Sequence, residues 1–384
     1  MIYPYSEVHA VHMELTDRCN AACPMCPRFM KHNGEVAPHV YKIQHTLEDI
    51  KKILPVDFIK QLRRINFCGN YGEPIVARDL LPIIVYLKQI NPHLRVEVNT
   101  NGSARKASWW KALAAVMGSD PRKSGVWFGL DGLGDTNHLY RRNTNWEVIM
   151  RNAKAFIDAG GVAHWNYIAF KHNEHQIEEA RELAREMGFR EFNIKLTARF
   201  KRGDTFPVFV KGEHTYDLKP PTEAEHIRPE AKNHTRPRTV PVPTLSAPMI
   251  GALKFIDEYK RNGYIPIDPN KRLVPKPNIE CIAQREKSIY ISATGHVYPC
   301  CWISGGHFTG DADFRMEYDR IDITKRPIED IVGGEEFQLV QDSWEVGSIS
   351  KCVHICTVVE MDADSEQKQH GHDFMIRKRV DNEE

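Results

Sequence analysis

Three cysteines, Cys19, Cys23 and Cys26, fall in the run Glu14-Leu15-Thr16-Asp17-Arg18-Cys19-Asn20-Ala21-Ala22-Cys23-Pro24-Met25-Cys26-Pro27-Arg28 at C-x3-C-x2-C spacing. Thiolates this close on one loop are metal ligands by type and spacing. Three are one too few for a closed tetrahedral zinc site or a fully ligated iron–sulfur cube, so one metal corner stays open to another ligand. The preceding residues, Val8 to Leu15, alternate as a strand does and would deliver the loop at the strand's carboxyl end.

A second set lies near the C-terminus. Cys281 is followed after 13 residues by Gly295 and after four more by Cys300, with Cys352 and Cys356 some 50 residues later. Ser288 to Ser292, a Thr294-Gly295 turn and His296 to Pro299 read as a hairpin that presents a thiol at its far end. Four thiols in two turn-borne pairs can close a complete metal cage, iron–sulfur or zinc, and Cys301 stands beside Cys300 as an alternative donor. Of the nine cysteines, most are clustered rather than evenly spread, which reads as metal ligation in a reducing compartment and not as disulfides. Cys68 reads as a small buried apolar residue.

The elements that must position these loops alternate regularly from Val8 to Leu196. Strands are expected at Val8–Leu15, Arg64–Cys68, Leu94–Val98, Val126–Leu130, Ala163–Phe170 and Glu191–Leu196. Helices fall between them: one capped by Thr46 and interrupted at Pro55, then Leu80–Ile90, a face of Trp110, Leu113, Val116 and Met117 stopped by Gly118, and a helix capped by Asn145. The last is capped by Asn173 and stopped by Gly188. This is an α/β chain with a parallel sheet, and periodicity alone leaves an open sheet or a partial barrel. From 200 to 278 the pattern breaks, with about half of all prolines in that stretch, and Met249–Tyr259 reads as its one helix. The expected division is 1–199 for the β/α unit, 200–278 for an insertion that encloses substrate or a linker, 279–360 for the second cysteine domain and 361–384 for a tail. Arg377-Lys378-Arg379 reads as a solvated end.

Composition narrows the class. A chain of 384 residues with 41% hydrophobic content can bury a large core and suits a barrel plus a second module. Fifty-two Lys and Arg against 51 Asp and Glu leave no basic field to recruit nucleic acid or an anionic membrane. No apolar run reaches the roughly 18 residues of a membrane span, and Met1-Ile2-Tyr3-Pro4-Tyr5 is unlike a secretion signal, so a cytoplasmic location is expected.

The first cysteine loop closely resembles that of the radical S-adenosylmethionine (radical SAM) superfamily. The resemblance implies a partial (β/α)6 barrel of the TIM type. It also implies a [4Fe-4S] cluster on Cys19, Cys23 and Cys26 whose fourth iron is chelated by SAM, and a flavodoxin- or ferredoxin-type electron donor. One electron then cleaves SAM to a 5′-deoxyadenosyl radical that takes hydrogen from an unactivated C–H. Gly72-Glu73-Pro74 is similar to the end of the family's G-G-E-P turn, and Asn99-Thr100-Asn101-Gly102 to its T-N-G segment. Gly129-Leu130-Asp131-Gly132 is similar to the S-L-D-G of enzymes that mature peptides and sulfatases, with Gly129 in place of serine, so Asp131 or Asn99 would have to supply the missing SAM contact. Arg141 stands where relatives often carry an arginine. Cys281, Cys300, Cys352 and Cys356 resemble the auxiliary-cluster domains called SPASM and, in shortened form, twitch, which implies a small α+β domain with one auxiliary [4Fe-4S] cluster. That cluster would take part in net oxidation or position the substrate. With the first strand beginning within ten residues, no winged-helix leader-binding domain is expected ahead of it, which tilts the substrate toward a small molecule or a separately recruited peptide. The rival class is a non-catalytic iron–sulfur or zinc protein, which would have no use for the glycine and asparagine loops at the strand ends.

Overall fold

A computed structural model describes residues 2–120, 124–197, 199–200, 205–222, 279–304, 316–346, 349, 352, 356 and 375–379. Six parallel strands lie side by side in chain order: β1 (Ala10–Met13), β2 (Arg64–Phe67), β3 (Arg95–Thr100), β4 (Ser124–Gly129), β5 (Ala163–Ala169) and β6 (Glu191–Leu196). Their connections carry α1 (Leu47–Ile53), α2 (Val56–Gln61), α3 (Leu80–Ile90), α4 (Ala107–Met117), α5 (Asn137–Tyr140), α6 (Trp146–Asp158) and α7 (Ile177–Met187). This is the partial β/α barrel that the alternation and the resemblance together imply.

Local chemistry sets the element ends. Thr46 and Asp49 form a reciprocal capping box on α1, and Asn145 accepts a bond from the Val148 amide at the start of α6. Gly188 ends α7 in the left-handed conformation, at φ 88°. Alternation within each strand splits the residues between two faces. Val96, Val98, Val126, Phe128, Trp165, Tyr167 and Phe192 pack with Trp110 and Phe156 of the helices in one core. The opposite, inner face carries polar side chains: His12, Asn66, Asn99, Asn166, Asn193 and Lys195 alternate with those core residues.

Asn173 is not the cap of α7 that the sequence suggests. A short 3-10 turn, Glu174–Gln176, precedes α7, and the Asn173 side chain accepts from the Phe170 amide while donating to the Asp131 and Ile168 carbonyls. It ties the end of β5 and the loop after it to the loop after β4 instead of capping α7.

Two further departures concern strands. Within the 200–278 segment, β7 (Phe206–Val210) and β8 (Glu213–Leu218) form an antiparallel hairpin. Lys211 and Gly212 both have positive φ, 52° and 84°, as a two-residue hairpin turn of matching twist requires. The helix expected at Met249–Tyr259 lies outside the described residues. Near the C-terminus, β9 (Ser288–Ile291) and β10 (Val297–Tyr298) form the expected hairpin, and β9 also pairs in parallel with β1. The tail residues Met375–Arg379 are not a free solvated end: they form β11, antiparallel to β6. An unpaired edge on β6 is a liability that β11 removes. The sheet therefore runs β10-β9-β1-β2-β3-β4-β5-β6-β11.

Candidate metal and cofactor site

The first cysteine loop starts at the carboxyl end of β1 and is held from several sides. Asp17 accepts from the Tyr41, Lys42 and Ile43 amides at 2.5, 3.0 and 2.7 Å. The buried Arg28 donates to the Asp17 carbonyl and, at 2.6 Å, to that of Tyr71. Asn20 donates to the Ser103 carbonyl and accepts from the Asn101 side chain at 3.0 Å. The three thiols pack in one apolar cluster with Ala21, Met25, Tyr140, Phe170, Val208 and Leu218. Burial pushes Cys19 up to about 12 and Cys26 to about 11, and it raises Cys23 against the pull of Arg141. The chain thus stores protonated thiols, and a metal that takes thiolates displaces those protons.

Gly72-Glu73-Pro74 packs directly against this loop. A Cβ on Gly72 would come within 1.6 Å of the Thr16 carbonyl oxygen, so only glycine fits there. The Gly72 and Tyr71 amides donate to Glu14 at 2.8 and 2.6 Å, and the Glu73 amide donates to the Arg18 carbonyl. Glu73 is itself buried, accepts from the Asn101 amide at 2.7 Å, and is pushed up to about 7 by burial. Asn101 is therefore a fastener between the cysteine loop and the Glu73 turn. Asn99 lies on β3 and donates to Asn66 at 2.9 Å.

At the end of β4, both Asp131 oxygens are engaged. One accepts from the Ile168 amide and the other from Arg141 Nε, each at 2.6 Å. Asp131 acts here by fixing Arg141, whose Nη1 stands 3.8 Å from the Cys23 sulfur. Burial works against the guanidinium charge, yet Asp131 and Cys23 hold it firmly protonated. A Cβ on Gly129 would lie 2.6 Å from Arg141 Nη2, so glycine in place of the expected serine makes room for the guanidinium.

The C-terminal thiols are near enough to influence one another. Cys281, Cys352 and Cys356 are buried, and Cys300 is half-buried. A hydrogen bond with Cys356 and then burial raise Cys281, while the same bond lowers Cys356, so the pair holds one proton tightly. Burial followed by repulsion from Cys300 and Cys356 raises Cys352. Cys301 faces elsewhere: after burial, its neighbours are Cys300, Cys68 and Glu14, and its carbonyl accepts from Asn70. Cys300 thus lies near Cys281, Cys352 and Cys356, and Cys301 lies near half-buried Cys68 beside the barrel. Among the described residues no three His, Cys, Asp or Glu side chains converge on a single-ion position, so the fit to iron–sulfur clusters rests on donor type and loop placement.

Glu14 is the site residue that spacing did not single out. It is 1% exposed, accepts from Tyr290 of β9 at 2.6 Å as well as from the two amides above, and burial pushes it up to about 7. Its even-numbered position, shared with the inner-face His12, was the available signal.

A parallel β/α partial barrel with a three-thiol loop at the end of its first strand, and a second thiol set on an added hairpin, defines an iron–sulfur enzyme class. The Radical SAM superfamily matches residues 13–184, and an iron-sulfur cluster-binding domain, SPASM, matches 281–357. The chain belongs to the radical SAM superfamily and carries a C-terminal SPASM domain. Its cofactors are accordingly a SAM-binding [4Fe-4S] cluster, SAM and auxiliary iron–sulfur ligation. Among curated relatives, a 7,8-dihydro-6-hydroxymethylpterin dimethyltransferase of Methanocaldococcus jannaschii is 28% identical over 136 residues, which are 35% of this chain and 24% of that protein. An S-adenosylmethionine-dependent nucleotide dehydratase of Selenomonas ruminantium is 30% identical over 95 residues, 25% of this chain and 30% of that one. The chain thus spans less than a third of the length of these relatives. In fold, Streptococcus suis SuiB bound to S-adenosylmethionine superposes at TM-score 0.51 with 13% identity, over 92% of this chain and 73% of SuiB. The AdoMet-bound anSMEcpe gives 0.52 with 16% identity, over 90% of this chain and 89% of that one.

Proposed function

We propose that this protein reductively cleaves SAM and abstracts hydrogen from an unactivated C–H of its substrate, with one auxiliary [4Fe-4S] cluster taking part in oxidation or substrate positioning. The observation that carries the reading is the packing of the Cys19, Cys23 and Cys26 loop against the Gly72-Glu73-Pro74 turn, with Arg141 pinned beside Cys23. In this reading Cys19, Cys23 and Cys26 hold the first cluster, and Cys281, Cys300, Cys352 and Cys356 the auxiliary one. Bound together, SAM and the reduced cluster supply the 5′-deoxyadenosyl radical. The chain's own residues orient and shield. Glu14 and Asn101 fix the backbone of the strand-end turns, Arg141 offers its charge at the end of β4, and the β7–β8 hairpin covers the thiols with Val208 and Leu218. The units 1–199, 200–278 and 279–360 then divide as radical-generating barrel, substrate-enclosing insertion and auxiliary-cluster domain.

A small-molecule substrate is favoured, since the relatives' names concern a dihydropterin and a nucleotide. A peptide substrate is the second reading, from SuiB bound to its precursor peptide SuiA. The test is anaerobic reconstitution, an iron and sulfide count, then dithionite and SAM with mass-spectrometric detection of 5′-deoxyadenosine. About eight irons and deoxyadenosine are expected. Cys23→Ala should abolish the cleavage, and full cleavage by that variant would sink the assignment.

A further inference from the structure

The inner face of the barrel holds two polar groups that the proposed chemistry does not use. Asn166 on β5 and Asn193 on β6 are 8% and 2% exposed, and the side-chain oxygen of each is buried with no hydrogen-bond partner. The two residues are direct register partners on neighbouring parallel strands, about 4.8 Å apart in the pairing direction. They cannot be turned toward the helices, because Trp165, Tyr167, Phe192 and Ile194 alternate with them and fill the core on that side.

Buried amide oxygens without partners are rare and call for a reason. Other polar groups of this face do have partners: Asn99 donates to Asn66, and the His12 ring bonds the Cys68 carbonyl. Among the charged groups, Asp131 pairs with Arg141, His164 with Glu191, and Arg95 with Glu97, while Lys195 also lies close to Asp131. A ligand that met Asn166 and Asn193 would therefore bring hydrogen-bond donors. Gly129 is the register partner of Asn166, and over it lies Arg141, which reaches Cys23. The orphaned pair thus sits beside the predicted radical-generating site.

We propose that Asn166 and Asn193 form a substrate subsite that accepts two neighbouring N–H donors, the edge of an amino-substituted nitrogen heterocycle. This inference rests on the small-molecule reading given above and narrows its substrate class. Two acceptors side by side match a ring N–H next to an exocyclic amine, and a site built around such bonds rejects an analogue that lacks one of them.

The probe is guanosine, with N1-methylguanosine as the analogue that loses the ring donor, each measured by equilibrium dialysis against the reconstituted protein under anaerobic conditions. Guanosine should bind at least about tenfold more tightly than N1-methylguanosine. Equal affinity, or no binding of either, overturns the proposal without recourse to any variant. In Asn166→Leu/Asn193→Leu the preference should vanish while the unfolding temperature holds or rises, since residues kept for binding cost stability. A lowered unfolding temperature with the preference intact would make the two amides structural and also overturn it. Deoxyadenosine formation by the unaltered protein reports separately on the radical chemistry, so failure of one reading is not mistaken for failure of the other.

Discussion

At the scale of single residues, close approach explains what a motif alone does not. Gly129 stands where a serine is expected, and the Arg141 guanidinium occupies the space a side chain would need. Gly129→Ser should push Arg141 off buried Asp131 and lower stability by roughly 1 to 3 kcal/mol, the cost of an unmatched buried polar group; an unchanged denaturant midpoint would count against this packing. Glu14 gives a pH prediction. Its carboxyl is held at about 7 against an ordinary 4.5, chiefly by burial. A raised carboxyl means the folded state keeps its proton where the unfolded state has lost it, so stability falls as pH rises from about 4.5 to about 7 and then levels. At ~1.4 kcal/mol per pH unit the fall is at most about 3 kcal/mol. Glu14→Gln keeps an acceptor for the Tyr71 and Gly72 amides and should make that slope shallower in urea unfolding across this range, leaving the share of Glu73. The Cys19, Cys23 and Cys26 loop stood out from spacing because its three thiols are local in sequence. Glu14 did not, because its meaning depends on Tyr290, 276 positions away.

At the scale of elements, the strands β1 to β6 could be read from the sequence because each has a buried face of period two, and α1 and α6 carry recognisable caps. The β7–β8 hairpin was obscured by the proline-rich company it keeps. Its signals were the alternation of Phe206, Val208 and Val210 and the Lys211-Gly212 turn, while Pro207 argued against a strand. Strand β11 escaped because five residues with a basic cluster look like a solvated end until β6 offers them an edge. The hairpin has a consequence for the metal. It buries Val208 and Leu218 against the cysteine loop, Tyr216 donates to the Leu139 carbonyl, and the Gly212 amide donates to Asn33 in the segment after the thiols. Val208→Ser should loosen this cover and let oxygen and water reach the first cluster. In a background of Cys281→Ser and Cys352→Ser, where only that cluster is counted, the iron-to-protein ratio should decay several-fold faster in air. An unchanged decay would mean that the hairpin does not shield the thiols.

At the scale of the whole molecule, the second thiol set is not an appendage. Strand β9 pairs with β1 over four register positions, and the apolar residues Ile289, Ile291, Ile328, Ile331, Phe337 and Val340 belong to the same core as the barrel. Further ties run from Gln284 to the Ile2 carbonyl, from His45 to the Ser292 carbonyl and from Lys287 to Glu7. The small C-terminal domain was legible from its cysteine pattern, but sequence pattern cannot show that its strand, 275 residues away, returns to pair with the first one. Because β1 would otherwise be an edge and the core would lose one wall, a chain truncated after Thr222 should expose both and aggregate, as size-exclusion chromatography would show. Removing only the metal ligands is a different perturbation. Cys281→Ser/Cys352→Ser leaves the β9–β1 pairing and the apolar wall in place, so it should stay soluble, drop from about eight irons to about four, and still cleave SAM while losing product. A truncated barrel that stays soluble and cleaves SAM fully would show that the halves are independent, and the continuous sheet would then have no bearing on how the two clusters are held.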